Sequence, residues 1–166
     1  MPKQFQFRDN AREQLMQGID LMAKAVGITL GPNGRNVILD KEFGPPQVCS
    51  DGVTIAKEIE LEKPFLNMGA QLLKEAASKT NDDVGDGTTT STILAQSILR
   101  NGFKNVAAGA DPMALKRGID KGVASMTSQL QEMSRSVTDD EQITQVAILS
   151  AHDEEMGKMI GSIISK

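Results

Sequence analysis

Residues Asn81 to Thr90 read Asn-Asp-Asp-Val-Gly-Asp-Gly-Thr-Thr-Thr, a polar run between two segments whose apolar residues recur with helical spacing. Gly85 and Gly87 allow positive φ and leave backbone N–H groups open to an anion. The residues Thr88, Thr89 and Thr90 begin the next helix, whose first N–H groups have no partner within the helix and whose dipole favours negative charge. The stretch therefore predicts a phosphate site at the start of a helix.

Asp86 lies between the two glycines and would repel a bare phosphate. Its natural partner is a hard cation such as Mg²⁺ that bridges to phosphate oxygens, so the predicted ligand is a metal-bound nucleotide. Asp-Gly is also a common turn dipeptide, and Asp or Thr before a helix is an ordinary N-cap. The loop alone is equally compatible with a purely structural turn.

The composition limits the class of protein. The chain has 166 residues, enough for one domain or part of a larger one, and 39% of them are hydrophobic. A net charge of −4 and an aromatic content of 3%, without Trp or Tyr, argue against nucleic acid and anionic membranes as partners. Cys49 is the single cysteine, and the sequence has no long apolar span, so we expect a reducing, cytoplasmic location.

Apolar periodicity predicts a mainly α fold. Asn10 with Glu13 and Thr138 with Glu141 suggest capping boxes, and Asn101-Gly102 suggests a helix stop. The predicted helices run from about 10 to 26, 52 to 59, 64 to 79, 88 to 100, 112 to 133 and 139 to 151, with a further apolar stripe from 156 to 164. We expect the helix from 112 to be packed along its length.

Short apolar runs predict strands at Lys3–Phe7, Val37–Leu39 and Gln47–Cys49, the last two joined by a turn at 43–46. A lone hairpin is marginal in water, and its edge is a template for pairing with another chain. The hairpin is therefore a candidate assembly element.

Two further loops resemble the first. Thr29-Leu30-Gly31-Pro32-Asn33-Gly34 is a second glycine loop, and Ser50-Asp51-Gly52 repeats the Asp-Gly start of a helix. Asp51 is either a simple helix cap or a carboxylate that orients water or shares the metal. His152, the only histidine, has no partner for a metal site, so we expect a surface or capping position.

The polar, aperiodic stretch 134–140 predicts a hinge or domain boundary. The apolar stripe that follows it has few evident partners. We therefore expect this chain to be the first part of a longer protein.

Several blocks, in order and spacing, resemble a group I chaperonin of the GroEL type. They are Thr29–Pro32, Gly34–Val37, Asp51–Thr54, Glu58–Leu61, Asn67–Gln71, Gly85–Thr90 and Asn105–Gly109. The resemblance implies a helical bundle like that of a chaperonin equatorial domain, with a small β-hairpin, plus the start of an intermediate domain. Residues 1–133 then correspond to the N-terminal half of the equatorial ATP-binding domain, and 134–166 to the first arm of the intermediate hinge domain.

The resemblance also implies roles for particular residues. Asp86 holds Mg²⁺, and Asp51 lies near the γ-phosphate of ATP and assists hydrolysis. The implied nucleotide-binding residues are Thr29, Leu30, Gly31, Pro32, Ser50, Asp86, Gly87, Thr88, Thr89, Thr90 and Ser150. Ser50 and Asn33 stand where the family usually has lysines, which we expect to weaken nucleotide binding or alter its salt dependence.

The implied partners are like subunits in a ring, a co-chaperonin of the GroES type and unfolded polypeptides. The implied function is ATP-dependent folding of non-native proteins. An alternative is an assembly module that associates through the hairpin without turnover. A small phosphotransferase is a weaker alternative, because no acceptor site is evident.

Overall fold

The computed structural model describes residues 3–41 and 43–164. Residues 1, 2, 42, 165 and 166 lie outside it, and they include the first residues of the predicted domain 1–133 and the last residues of the predicted domain 134–166. The chain forms two compact units, Met1–Leu115 and Lys116–Lys166. The division into domains at residues 133 and 134 stays a prediction.

The described residues are mainly helical, with one small sheet, which confirms the predicted fold class. The elements in order are α1 (Arg8–Gly27), β1 (Val37–Leu39), β2 (Gln47–Cys49), α2 (Gly52–Glu58), α3 (Pro64–Val84), α4 (Thr88–Ala107), α5 (Pro112–Met133), α6 (Asp140–Ala151) and α7 (Glu154–Ile164). The strands pair antiparallel with Ile38 opposite Val48, so the predicted hairpin is confirmed. None of the described helices is long and apolar enough to cross a membrane.

Several predicted helix ends are wrong. The helix α1 begins at Arg8 after an extended Phe7, and Asn10 accepts a hydrogen bond from the Gln14 side chain instead of capping the helix. The helix α4 continues through Asn101 and Gly102 to Ala107. Because one glycine costs a helix only about 1 kcal/mol, packing along α4 outweighs this stop signal.

Two other local predictions are also wrong. Lys3–Phe7 has no strand; Phe5 and Phe7 are exposed, and their rings stack with centroids 6.5 Å apart. The helix α6 is capped by Asp139, whose Oδ1 accepts from Gln142 N at 2.7 Å, one residue after the predicted capping box. The carboxylate at 139 accepts the free N–H more strongly than the Thr138 hydroxyl would.

The core of the first unit lies where α1, α3 and α4 pack together, with α2 and β1 at its edge. Its fully buried large side chains include Ile19, Met22, Val26, Ile55 and Leu73. Burial of each stabilises the fold by about 1.5–3 kcal/mol.

Two glycines let α1 and α3 approach closely. A Cβ added at Gly18 would lie 1.8 Å from the carbonyl oxygen of Leu66, and one added at Gly69 would lie 2.1 Å from that of Leu15. No side chain fits at either position, so each glycine is required by the contact.

The second unit contains the helix pair α6 and α7. Here Gly157 and Gly161 allow the same close approach, since their added Cβ atoms would lie 2.4 Å from the Ile148 Cα and 2.6 Å from the Thr144 Oγ1. His152 ends α6 with φ of 52°, in the capping position expected for it. The helix α5 has no buried residue among those described, which contradicts the expectation that it packs along its length.

The substitution Gly69→Ala should lower the free energy of unfolding by about 1–3 kcal/mol, because the methyl group forces α1 and α3 apart. The matched control is Gly102→Ala on α4, where the added Cβ meets only Leu115 Cδ2 at 3.7 Å. There the better helix propensity of alanine should leave stability unchanged or raise it by up to about 1 kcal/mol. Urea unfolding followed by circular dichroism measures both, and equal effects would contradict the close-packing interpretation.

Candidate functional site

Two left-handed glycines shape the loop between α3 and α4. Gly85 ends α3 with φ of 77°, and its N–H donates to Asn81 O at 2.9 Å. Gly87 precedes α4 with φ of 79°. Both conformations favour glycine. Asp86 is exposed between them, and the Gly87 N–H donates to its Oδ1 at 2.6 Å.

The start of α4 has no side-chain cap from any described residue. The first N–H groups of this 20-residue helix therefore lack the usual intramolecular partner. Thr88 is buried there, Thr89 is half-buried and Thr90 is exposed. An uncapped helix start with free N–H groups and a positive dipole end attracts an anion.

Asp51 caps α2. Its Oδ2 accepts from the Thr54 N–H at 2.9 Å and from the Thr54 hydroxyl at 2.5 Å. The structural role that the sequence suggested for Asp51 is therefore present, and it positions the carboxylate at the helix start.

Gly52 brings the start of α2 against the start of α4. A Cβ at Gly52 would lie 2.4 Å from Thr89 Oγ1, 3.0 Å from Thr89 N and 3.1 Å from Thr88 Oγ1. Only glycine fits without displacement. The Asp51-Gly52 segment and the threonine segment thus lie in direct contact, although more than thirty residues separate them in the sequence.

The loop after α1 reaches the same place. Thr29 Oγ1 and Thr89 Oγ1 are 3.2 Å apart, within hydrogen-bond distance. Gly31 has φ of 80°, and the turn is closed by hydrogen bonds from Gly34 N to Gly31 O at 2.9 Å and from Arg35 N to Ile28 O at 2.8 Å. Leu30 and Pro32 are exposed on this loop. The structure therefore brings together residues from all three sequence-predicted loops.

The remaining predicted residues are Ser50 and Ser150. Ser50 is exposed and immediately precedes the capping Asp51. Ser150 is exposed in the last turn of α6, in the second unit, where it lines an apolar cavity of about 540 Å³ with Val146 and Ile160.

Sequence reasoning missed a polar brace between α1 and α4. Asp20 accepts from Gln96 Nε2 at 2.8 Å and pairs with Arg100 at 2.8 Å. The sequence feature that could have indicated this contact is an aspartate beside the apolar face of α1, together with a Gln and an Arg four residues apart and therefore on one face of α4. This brace holds the helix that leads into Thr29 against the helix that begins at Thr88.

Burial raises the pKa of Asp20, but hydrogen bonds from Arg100 and Gln96 and the charge of Arg100 outweigh it, so the net pKa is lowered. Because the pKa of Asp20 is lower in the folded protein than in the unfolded chain, its ionised carboxylate stabilises the fold at pH values above the unfolded pKa of about 4. That contribution is lost as the pH falls through the folded pKa.

The described residues contain no group of three or more His, Cys, Asp or Glu side chains that would form a metal cage. Mg²⁺ commonly takes only one or two carboxylates and completes its shell with water and phosphate oxygens. A single exposed carboxylate such as Asp86 next to an anion site fits this ion.

Comparison with known proteins identifies the family. The sequence pattern of the TCP-1/cpn60 chaperonin family matches residues 22–166, most of the chain. This chain belongs to the TCP-1/cpn60 chaperonin family. The match includes all three loops of the site.

A solved chaperonin has the same fold. The crystal structure of the chaperonin gp146 from the bacteriophage EL 2 (Pseudomonas aeruginosa), determined in the presence of ATP-BeFx, matches with a TM-score of 0.80 and 27% sequence identity. The match covers 93% of this chaperonin chain and 28% of the phage chain. The present chain thus spans just over a quarter of the length of that relative.

The substitution Asp51→Ala should lower the free energy of unfolding of this chaperonin chain by about 0.5–2 kcal/mol, because α2 loses its cap. Asp51→Asn keeps an oxygen that can cap and should stay close to the wild-type stability. Thermal unfolding measures both variants. If Asp51→Asn lowers the stability as much as Asp51→Ala does, Asp51 does not stabilise the protein by capping α2.

Proposed function

We propose that this chain is part of a chaperonin that binds and hydrolyses Mg-ATP and uses the cycle to fold non-native polypeptides inside a ring. The observation that supports this most directly is the convergence of Thr29, Gly52 and Thr89 at the uncapped start of α4. Three segments distant in sequence meet at a helix end that favours an anion.

We assign the phosphates of ATP to the segments Gly87–Thr90 and Thr29–Pro32. The N–H groups in the first turn of α4 and the threonine hydroxyls are suitable donors to phosphate oxygens. The left-handed glycines leave the backbone around Asp86 open to the ligand.

We assign Mg²⁺ to Asp86. A Mg²⁺ ion held there would neutralise phosphate charge and polarise the bond to be broken. Asp86 is exposed, and a backbone N–H already fixes the direction of its carboxylate.

We assign assistance of hydrolysis to Asp51. Its Oδ2 is engaged in the cap of α2, so the role falls to Oδ1. A carboxylate held rigidly by its own helix start is suited to orient a water molecule.

Ser50 completes the proposed set of nucleotide contacts in the first unit, and the nucleotide contact of Ser150, in the second unit, stays a prediction. Residues 1–133 then form half of an ATP-binding equatorial domain, and 134–166 begin the intermediate domain. The proposed partners are like subunits in a ring, a co-chaperonin of the GroES type and unfolded polypeptides, in the cytoplasm.

Calorimetric titration of the chain with Mg-ATP tests the site. Loss of a side chain that only orients a metal ligand typically lowers metal affinity roughly 10–100-fold. Asp86→Ala removes the proposed ligand itself, so we expect it to weaken Mg-ATP binding at least about 10-fold. Phosphate release in the same samples should fall by about 100-fold or more in Asp51→Asn, with binding retained.

The matched control is Asp83→Ala, which removes the same charge from an exposed position in the last turn of α3. It should bind Mg-ATP within about 2-fold of wild type, since exposed charges are largely screened. Equal losses in Asp83→Ala and Asp86→Ala would refute the metal assignment.

The second candidate function is an assembly module without turnover, and the hairpin is the observation that favours it. Ile38 and Val48 lie opposite each other and are 71% and 61% exposed. Exposed apolar side chains on a short sheet with open edges are typical of a surface that pairs with another chain.

The substitution Ile38→Lys should reduce self-association, measured by sedimentation velocity, because it adds charge to this surface. Gln131→Lys on the exposed face of α5 adds the same charge without removing an apolar side chain, and is the control. Association lost in Ile38→Lys alone, in a chain that neither binds nor hydrolyses Mg-ATP, favours the assembly module. Association equal in all three chains excludes the hairpin.

A further inference from the structure

The carboxylate of Asp51 is held through one of its oxygens by two donors of the same residue. Oδ2 accepts from the backbone N–H of Thr54 at 2.9 Å and from the Thr54 hydroxyl at 2.5 Å. In the described part of the chain, both hydrogen bonds of this carboxylate are made by Oδ2. The direction of Oδ1 is therefore set by how Thr54 holds its neighbour.

The two donors of Thr54 do different things. An N-cap side chain accepts from the N–H of the second or third helical residue, and Thr54 is the third residue of α2. The backbone N–H alone thus caps the helix. The torsion that turns the Asp51 carboxylate is broad, so one hydrogen bond leaves the direction of Oδ1 loosely defined. The second bond, from the hydroxyl, restricts that rotation.

Thr54 is itself firmly placed. It is half-buried, and its neighbours Val53 and Ile55 are only 7% and 0% exposed. Its side chain is β-branched, which limits rotation about the bond that carries the hydroxyl. The start of α2 also contacts the start of α4, where the proposed phosphate segment begins. Through Thr54, the direction of the exposed Asp51 carboxylate is thus tied to the core of the first unit.

We propose that Thr54 is a positioning residue for ATP hydrolysis, whose hydroxyl turns Asp51 Oδ1 toward the attacking water. This inference rests on the proposed function. In that step the water oxygen bonds to the γ-phosphorus, and the bond from this phosphorus to the bridging oxygen breaks, with its electron pair leaving on ADP. One water proton passes to Oδ1 and then to solvent. Thr54 touches none of the reacting atoms and acts only through Asp51.

Steady-state hydrolysis of Mg-ATP by the chain tests the proposal. Thr54→Val removes the hydroxyl but keeps the shape of the side chain and the backbone N–H that caps α2. It should lower kcat about 10-fold, because small errors in the placement of a reacting group cost up to about 100-fold. KM and the calorimetric Kd for Mg-ATP should stay within about 2-fold, because the lost contact orients a water and holds no part of the nucleotide. Thr54→Ser keeps the hydroxyl and should restore most of the wild-type kcat.

Two comparisons separate positioning from a general structural effect. In an Asp51→Asn background, Thr54→Val should cause no further loss of kcat, because both residues act on the same step. The matched control is Thr80→Val on α3, which removes a half-buried hydroxyl that donates to Ala76 O at 3.0 Å and should leave kcat unchanged. An unchanged kcat in Thr54→Val, a loss that Thr54→Ser does not restore, or an equal loss in Thr80→Val refutes the proposal.

Unfolding measurements distinguish failure of this inference from failure of the proposed function. Without nucleotide, the effects of Thr54→Val and Asp51→Ala on the free energy of unfolding should be non-additive if the hydroxyl bond holds the carboxylate. Additive effects refute the positioning role even if the chain hydrolyses Mg-ATP. If the wild-type chain releases no phosphate from Mg-ATP, the proposed function is refuted, and the role of Thr54 in hydrolysis is refuted with it.

Discussion

Gly18 and Gly69 hold α1 against α3 at a separation at which any side chain would overlap a backbone carbonyl of the opposite helix. The helix α1 leads into the Thr29 loop, and α3 leads into the loop around Asp86. The separation of these two loops therefore depends on the packing of the helices that precede them. The polar brace, in which Asp20 is hydrogen-bonded to Gln96 and ion-paired with Arg100, also connects α1 to α4.

Electrostatics explains why the junction suits an anion. The starts of α2 and α4 lie in contact, and each presents free N–H groups and the positive end of a helix dipole. Asp51 compensates the start of α2, whereas among the described residues no side chain caps the start of α4. The remaining positive potential is directed to the position where Gly87 and the threonines begin α4. A single nearby carboxylate, Asp86, then fits the sparse protein ligation that Mg²⁺ tolerates next to phosphates.

Local pattern was sufficient for most of the secondary structure. Helical periodicity located all the helices of the described chain, and short apolar runs around a Gly-Pro turn located the hairpin. The errors concern helix ends and one strand. Asn101-Gly102 did not end α4, because a single weak helix former is outweighed by the turns on both sides of it. Lys3–Phe7 formed no strand, because an alternating pattern needs a partner strand to pair with.

The sequence by itself determined the elements, the left-handed glycine loop around Asp86, the Asp-Gly helix start and the family likeness, because these depend on residues within a few positions of one another. Only the tertiary structure decided that Thr29, Gly52 and Thr89 meet, that Asp20 ties α1 to α4, and that α5 stays exposed. Sixty residues separate Thr29 from Thr89. Such contacts follow from how whole helices pack, and packing depends on shapes across the entire core rather than on any local pattern.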